Sequence, residues 1–181
     1  MLFEELSLHG AFIINLEVKE DERGWFSRTF CKNEFCDIGL EKEWVQINHS
    51  FSIKAGTLRG MHFQYNPNSE TKMIRCISGK IYDVIIDIRK NSPTFLQWIG
   101  IELSEQNKKT LYIPEGFAHG FQTLSDNSEI IYHHSNFYNP SNEGAINYND
   151  PLLNITWPLK ISEISERDTK HDFINLNFKG I

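Results

Sequence analysis

The segment GTLRGMHFQ sets Arg59, His62 and Gln64 around a glycine, and other groups suited to proton transfer sit in nearby apolar segments. Lys72 opens KMIRCIS, His119 lies in IPEGFAHGF and Tyr132 in EIIYHH, so base, cation and phenol types collect on what read as adjacent strands. A lone histidine in a strand is usually a satisfied structural residue; its company makes His62 a candidate base. On a regular strand Leu58, His62 and Gln64 share one face and Arg59 points to the other. Arg59 and His62 converge only if the strand is irregular between them, which places a bulge at Gly60. Arg59 and Lys72 both lie in apolar strands, where an unpaired charge is costly, and a bound diphosphate would satisfy them. Arg23, Arg28, Arg75 and Arg167 complete the basic set near the motifs; each also reads as a surface residue, Arg23 following two acids. Trp25, Phe26, Phe137 and Tyr138 could stack a base or sugar, or simply pack. The sequence has neither a P-loop nor a dinucleotide glycine fingerprint.

A small all-β chain with several histidines also raises a metal site. Cupin metal sites draw on an HxH pair, a nearby Glu and a later His, but the position two after His62 is Gln64. His119 with His133 or His134 would give three imidazoles without a carboxylate at matching spacing, a poor ligand set. The spacing disfavours a metal and leaves the question open at this point.

The elements that must position these residues read as β. Ten apolar, β-branched or aromatic segments fill residues 11–134: AFIINLEV, WFSRTF, WVQINHSF, TLRGMHFQ, KMIRCIS, KIYDVIIDIR, LQWIGIEL, TLYI, GFQTL and EIIYHH. Turn-rich pieces such as NPNSE, KNSPT and SDNS separate them, a rhythm of sandwiches and barrels. In KIYDVIIDIR, Tyr82, Val84, Ile86 and Ile88 suit a buried face, while Ile81, Asp83, Ile85 and Asp87 make a mixed one. Short peripheral helices are expected at KNEFCDIGL, capped by Asn33 and stopped by Gly39, and near ISEISERD, capped by Ser162 or Ser165. The stretch from Asn136 to Pro158 reads as an ordered loop, with the C-terminal part packed back on the barrel.

Length and composition bound the rest. The 181 residues, 40% hydrophobic and 23% charged, predict one folded domain over 1–181. A net charge of −6 offers no global field for nucleic acid or an acidic membrane. No apolar run is long enough to span a bilayer, the N-terminal segment lacks the basic start of a signal peptide, and three cysteines show no CxxC spacing. The expected compartment is the reducing cytoplasm.

In order along the chain stand DERGWF, QINHSFS, GTLRGMHFQ, KMIRCISGKIYDVIIDIR, SPTFLQW, LYIPEGFAHGFQTL, IIYHHSNFYNP, NDP, ITWP and ISERD. This set, from Arg23 to Asp168, resembles the dTDP-4-dehydrorhamnose 3,5-epimerase family of cupin-fold sugar-nucleotide epimerases. The resemblance implies a metal-free, cofactor-independent jelly roll that dimerises through exchanged N-terminal strands. It implies epimerisation of a nucleotide-linked 4-keto-6-deoxy sugar, hexose or heptose, at C3, C5 or both, for surface polysaccharide synthesis. It makes His62 the general base, Asp168 the carboxylate that orients it, Lys72 the cation beside the C4 carbonyl and Tyr132 the acid on the opposite face. Arg23, Gln46, Asn48, Arg59, His119 and Tyr138 match positions that hold phosphates, sugar and base, with Arg23 reaching across the dimer. Two positions depart from the pattern. RGWFSR places Arg28 where the family commonly has an acid, and an arginine fork there would suit the O6 and N7 of guanine, hence GDP rather than dTDP. Arg167 stands where a lysine is common. The competing readings are another keto-sugar cupin isomerase or dehydratase, a non-catalytic sugar-nucleotide-binding domain, and a metal-dependent cupin oxygenase.

Overall fold

The computed structural model describes residues 1–175 and 177–181. The strands are β1 (Leu2–Glu5), β2 (Phe12–Asn15), β3 (Lys19–Asp21), β4 (Gly24–Phe26), β5 (Gln46–Ser52), β6 (Thr57–Gln64) and β7 (Lys72–Ser78). They continue as β8 (Lys80–Asp87), β9 (Trp98–Ser104), β10 (Thr110–Ile113), β11 (Phe117–Thr123), β12 (Ser128–His134), β13 (Glu143–Ala145) and β14 (Glu163–Ile164), with helices α1 (Lys32–Cys36) and α2 (Glu166–Thr169). All ten expected segments contain a strand; WFSRTF contributes only Trp25 and Phe26 of β4. One sheet runs β1-β2-β10-β7-β12-β5 and the other β13-β6-β11-β8-β9, with β14 added in parallel to β6 and β3–β4 a separate hairpin. The two sheets face each other in the jelly-roll arrangement of a cupin.

β8 shows how the sequence fills both sides of a sheet. Ile81 and Ile85 enter the core between the sheets with Ile74, Leu111, Phe121 and Ile130. Val84, Ile86 and Ile88 point the other way and are covered by Ile146, Leu153, Trp157 and Phe178. The expected mixed face is therefore fully buried: Asp83 and Asp87 are both 0% exposed. Each acid is tolerated because it is paired. Asp87 accepts from Arg89 Nε at 2.9 Å, Ser92 Oγ at 2.6 Å and Thr94 Oγ1 at 2.6 Å. Burial favours its neutral form, but the Arg89, Ser92 and Thr94 hydrogen bonds outweigh that and hold its pKa at about 2. Because the folded value lies below the unfolded one, this stabilisation is complete above about pH 4 and is lost as pH falls towards 2. Asp87→Asn is expected to cost on the order of 2 kcal/mol at pH 7 and to flatten the fall of Tm between pH 4 and 2; an unchanged acid limb would refute the assignment.

The short elements depart from expectation in detail. The N-cap of α1 is Cys31, without a side-chain cap, and Asn33 lies inside the helix. The helix forms because Phe35 is buried against Ile14, Met73 and Tyr112, so packing outweighs the missing cap. Gly39, at φ +77°, ends it: its N–H donates to Cys36 O and that of Leu40 to Phe35 O. For α2, Ser165 is the cap, its hydroxyl accepting from the Asp168 N–H at 3.0 Å. Ser162 instead donates to Ala55 O. Beyond the patch covered by α1, the outer face of the first sheet leaves Ile47, Phe51 and Ile77 exposed. No helix among the described residues is long and apolar enough to cross a membrane.

Candidate active site

Between the sheets lies a cavity of about 720 Å³, within the size range of small-ligand sites. His62, Arg59 and Asp168 line one wall with His119; Lys72, Tyr132, Asn48 and His134 line the wall facing it. Arg59 and His62 meet here because β6 bulges as expected. His62 pairs with His119 and Arg59 with Phe121, three steps against two. Gly60, at φ +136°, makes this possible: a Cβ there would lie 2.4 Å from the Gly120 Cα.

Asp168 reaches His62 from far along the chain. β14 adds to β6 at Thr57 and Leu58, and α2 follows at once, turning its buried Asp168 towards His62. His62 Nε2 lies 2.9 Å from Asp168 Oδ1, and the Gly60 N–H donates to Oδ2 at 3.4 Å. Burial opposes ionisation of Asp168, but the His62 hydrogen bond and charge, the Gly60 N–H and Arg167 hold its pKa at about 2. A carboxylate there takes the Nε2 proton as its partner, so Nδ1 of neutral His62 keeps a lone pair.

The opposite wall has its own partners. Lys72 Nζ lies 3.3 Å from Glu70 Oε1, and Glu70 Oε2 is 2.7 Å from His134 Nδ1. Burial favours the neutral acid, but His134 and Lys72 keep Glu70 below the usual carboxylate range. The Tyr132 hydroxyl is 3.1 Å from Ser50 Oγ, and burial pushes the phenol up, so it is protonated at neutral pH. His119 pairs with Asp83 at 3.0 Å; burial pushes Asp83 up while His119 and Lys72 pull against it. At the mouth, Glu143 on β13 accepts from the Tyr138 hydroxyl at 3.0 Å and from Arg167 Nη1 at 3.1 Å. Gln46 and Asn48 are joined at the rim, and Gln46 Oε1 accepts the Tyr138 N–H at 3.3 Å.

Thus His62, Asp168, Tyr132, Lys72, Arg59, His119, Asn48 and Tyr138 line one space, with Gln46 beside it. Arg23, Phe26 and Arg28 do not. Arg23 holds Asp21, with Nε at 3.2 Å, Phe26 is 71% exposed on β4, and Arg28 Nη1 is bonded to Glu34 at 2.8 Å. The imidazole trio considered for a metal is not assembled either: His119 is paired with Asp83, His134 with Glu70, and His133 packs on Trp44 across the sheet. Glu70, Asp83 and Glu143 hold site residues without having been singled out. Asp83 alone left a signal, an acid on the inward-facing alternation of an apolar strand.

A family model described as dTDP-4-dehydrorhamnose 3,5-epimerase matches residues 5–175. The dTDP-4-dehydrorhamnose 3,5-epimerase of Salmonella typhimurium is 45% identical over 170 residues, 93% of this chain and 92% of its own. The crystal structure of the Bacillus anthracis dTDP-4-dehydrorhamnose 3,5-epimerase with TDP and PPi bound superposes with a TM-score of 0.93 at 38% identity, covering 96% of this chain and 99% of that one. The Legionella pneumophila dTDP-6-deoxy-D-glucose-3,5-epimerase in complex with dTDP-4-keto-L-rhamnose gives 0.91 at 36% identity, covering 97% and 94%. With the match spanning nearly every strand of both sheets and the whole cavity wall, this chain belongs to the dTDP-4-dehydrorhamnose 3,5-epimerase family.

Proposed function

We propose that the chain epimerises a dTDP-linked 4-keto-6-deoxy sugar at C3 and C5. The observation that supports this most directly is the division of labour across the cavity: an imidazole–carboxylate pair on one sheet, a protonated phenol and a lysine on the sheet facing it. The C4 ketone acidifies both neighbouring carbons, so the reaction requires no cofactor. His62 takes a proton from C3 or C5, and the C–H electrons move onto the carbonyl oxygen as an enolate. Lys72 stabilises the charge that develops there. Tyr132 returns a proton from the other side of the planar enolate, and delivery opposite to removal inverts the centre. Arg59 and His119 lie where the diphosphate and sugar would sit, with Gln46, Asn48 and Tyr138 at the rim for the nucleoside. Arg28 lies outside the cavity and is held to Glu34 through Nη1, which gives no support to a guanine role, and the relatives are named for dTDP sugars.

The same reading makes the protein one cytoplasmic unit over residues 1–181, serving surface polysaccharide synthesis and working as a dimer that exchanges N-terminal strands. Support for the dimer comes from the uncovered Ile47, Phe51 and Ile77 and from the distance of Arg23 and Phe26 from their own cavity. Light scattering is expected to give twice 21.1 kDa, and a monomer at micromolar concentration would refute it.

Deuterium wash-in from heavy water, followed by NMR on dTDP- and GDP-linked 4-keto-6-deoxy sugars, tests the activity. Exchange at both C3 and C5 of the dTDP substrate is expected. Exchange at C3 alone would make the chain a 3-epimerase, preference for GDP would restore the guanine role of Arg28, and no exchange would leave a binding module. In Tyr132→Phe, epimerisation is expected to fall about 10²-fold while wash-in persists. Equal loss of both would move the acid elsewhere.

A further inference from the structure

The reaction leaves one group of the base cluster unused. His171 follows α2, and its backbone is fixed by Asn147, whose Nδ2 donates to the His171 carbonyl at 2.8 Å and whose N–H donates to that of Asp172 at 3.2 Å. The side chain turns back on the base pair. Its Nε2 is buried, makes no hydrogen bond among the described residues, and stands 3.4 Å from Asp168 Oδ1. That oxygen is the one already held by His62 at 2.9 Å. The two imidazoles meet edge to face with centroids 5.7 Å apart, and the three ligand atoms lie within 4.8 Å of one another.

We propose that His62, Asp168 and His171 form a binding site for a zinc-class divalent cation, and that the ion switches the base off. Two histidines and a carboxylate are a known ligand set for zinc, with the fourth position left to water. Tetrahedral bonds of about 2.0–2.2 Å put ligand atoms about 3.3–3.6 Å apart; His171 Nε2 already stands at that separation from Asp168 Oδ1, 3.4 Å, and His62 Nε2 needs to retreat only slightly from 2.9 Å. The inhibition follows from the tautomer. With Asp168 as partner, neutral His62 carries its proton on Nε2 and its lone pair on Nδ1. A metal on Nε2 moves that proton to Nδ1, and the nitrogen that would take the substrate proton no longer can. Arg167 works against the ion, with Nη2 3.3 Å from His62 Nε2 and Nε 3.6 Å from Asp168 Oδ1. Its half-exposed side chain is also bonded to Glu143, which gives the guanidinium an alternative position.

The test is a titration of zinc chloride into chelator-treated protein, with binding read by competition against a chromophoric chelator and catalysis read by wash-in. One equivalent is expected to bind, wash-in to fall in proportion to occupancy, and EDTA to restore it. His171→Asn is expected to keep zinc-free activity while weakening zinc binding at least about 10-fold, since even outer partners of metal ligands are worth that much. Arg167→Gln is expected to tighten binding by removing the opposing charge. Undiminished binding to His171→Asn would overturn the site, as would no binding to the wild type. The inhibitory part rests on His62 being the base: stoichiometric binding that spares wash-in would refute that role and leave the metal site standing.

Discussion

His62→Asn is expected to lower kcat by about 10³–10⁴-fold, near the upper end of what a positioned base contributes. Asparagine ends near the Nδ1 position and leaves Asp168 to the Gly60 N–H and Arg167, and it has no lone pair basic enough to take a carbon-bound proton. His62 is only partly buried, its side chain 25% exposed, and its replacement leaves no large cavity. The Tm is therefore expected to move little. The diagnostic is that wash-in at C3 and C5 fails together, because one imidazole serves both positions. Retention of exchange at either carbon would mean a second base and would sink the single-base scheme.

Lys72→Met should cost about 10²–10³-fold in kcat, with a smaller change in KM. Methionine preserves much of the stem and removes the charge that the enolate oxygen needs. The charge is worth much here because the side chain is only 11% exposed, so bulk water screens it little. Glu70 loses one partner in this variant but keeps His134 at 2.7 Å, so a control is needed. Glu70→Gln should retain most of the activity if Lys72 acts on the substrate. If Glu70→Gln matches Lys72→Met in kcat, the pair is structural and the enolate is stabilised by another group.

What the sequence disclosed was the part written locally. Strand segments announce themselves through β-branched and aromatic runs, and Gly60 marked an irregularity that places Arg59 beside His62. Hidden features depend on residues far apart. Nothing in KIYDVIIDIR says that both of its faces will be covered, that of Val84 and Ile86 by Ile146, Leu153 and Trp157 and that of Asp83 and Asp87 by the facing sheet, so the alternation reads as one buried and one mixed face. Asn33 had the right side chain for a cap, but the burial of Phe35 set the helix register. β13 and β14 are three and two residues long and have no pattern of their own; they exist because β6 offers an edge on which to pair. The site residues were recognised as types on neighbouring strands, whereas Glu70 comes from a loop, Glu143 from the three-residue β13 and His171 from the C-terminal segment, where residue type alone gives no direction.

The Asp168–His62 pair spans 106 positions of sequence, closed by a two-residue parallel pairing and one capped helical turn. Such a small element opens far more readily than the sheets it rests on. Each opening removes the carboxylate and frees the imidazole to rotate, although the β core is untouched. The fraction of competent molecules is thus a local docking equilibrium, separate from global unfolding. Warming should silence the chemistry several degrees before the barrel melts, and amide exchange around Asp168 should report the same threshold.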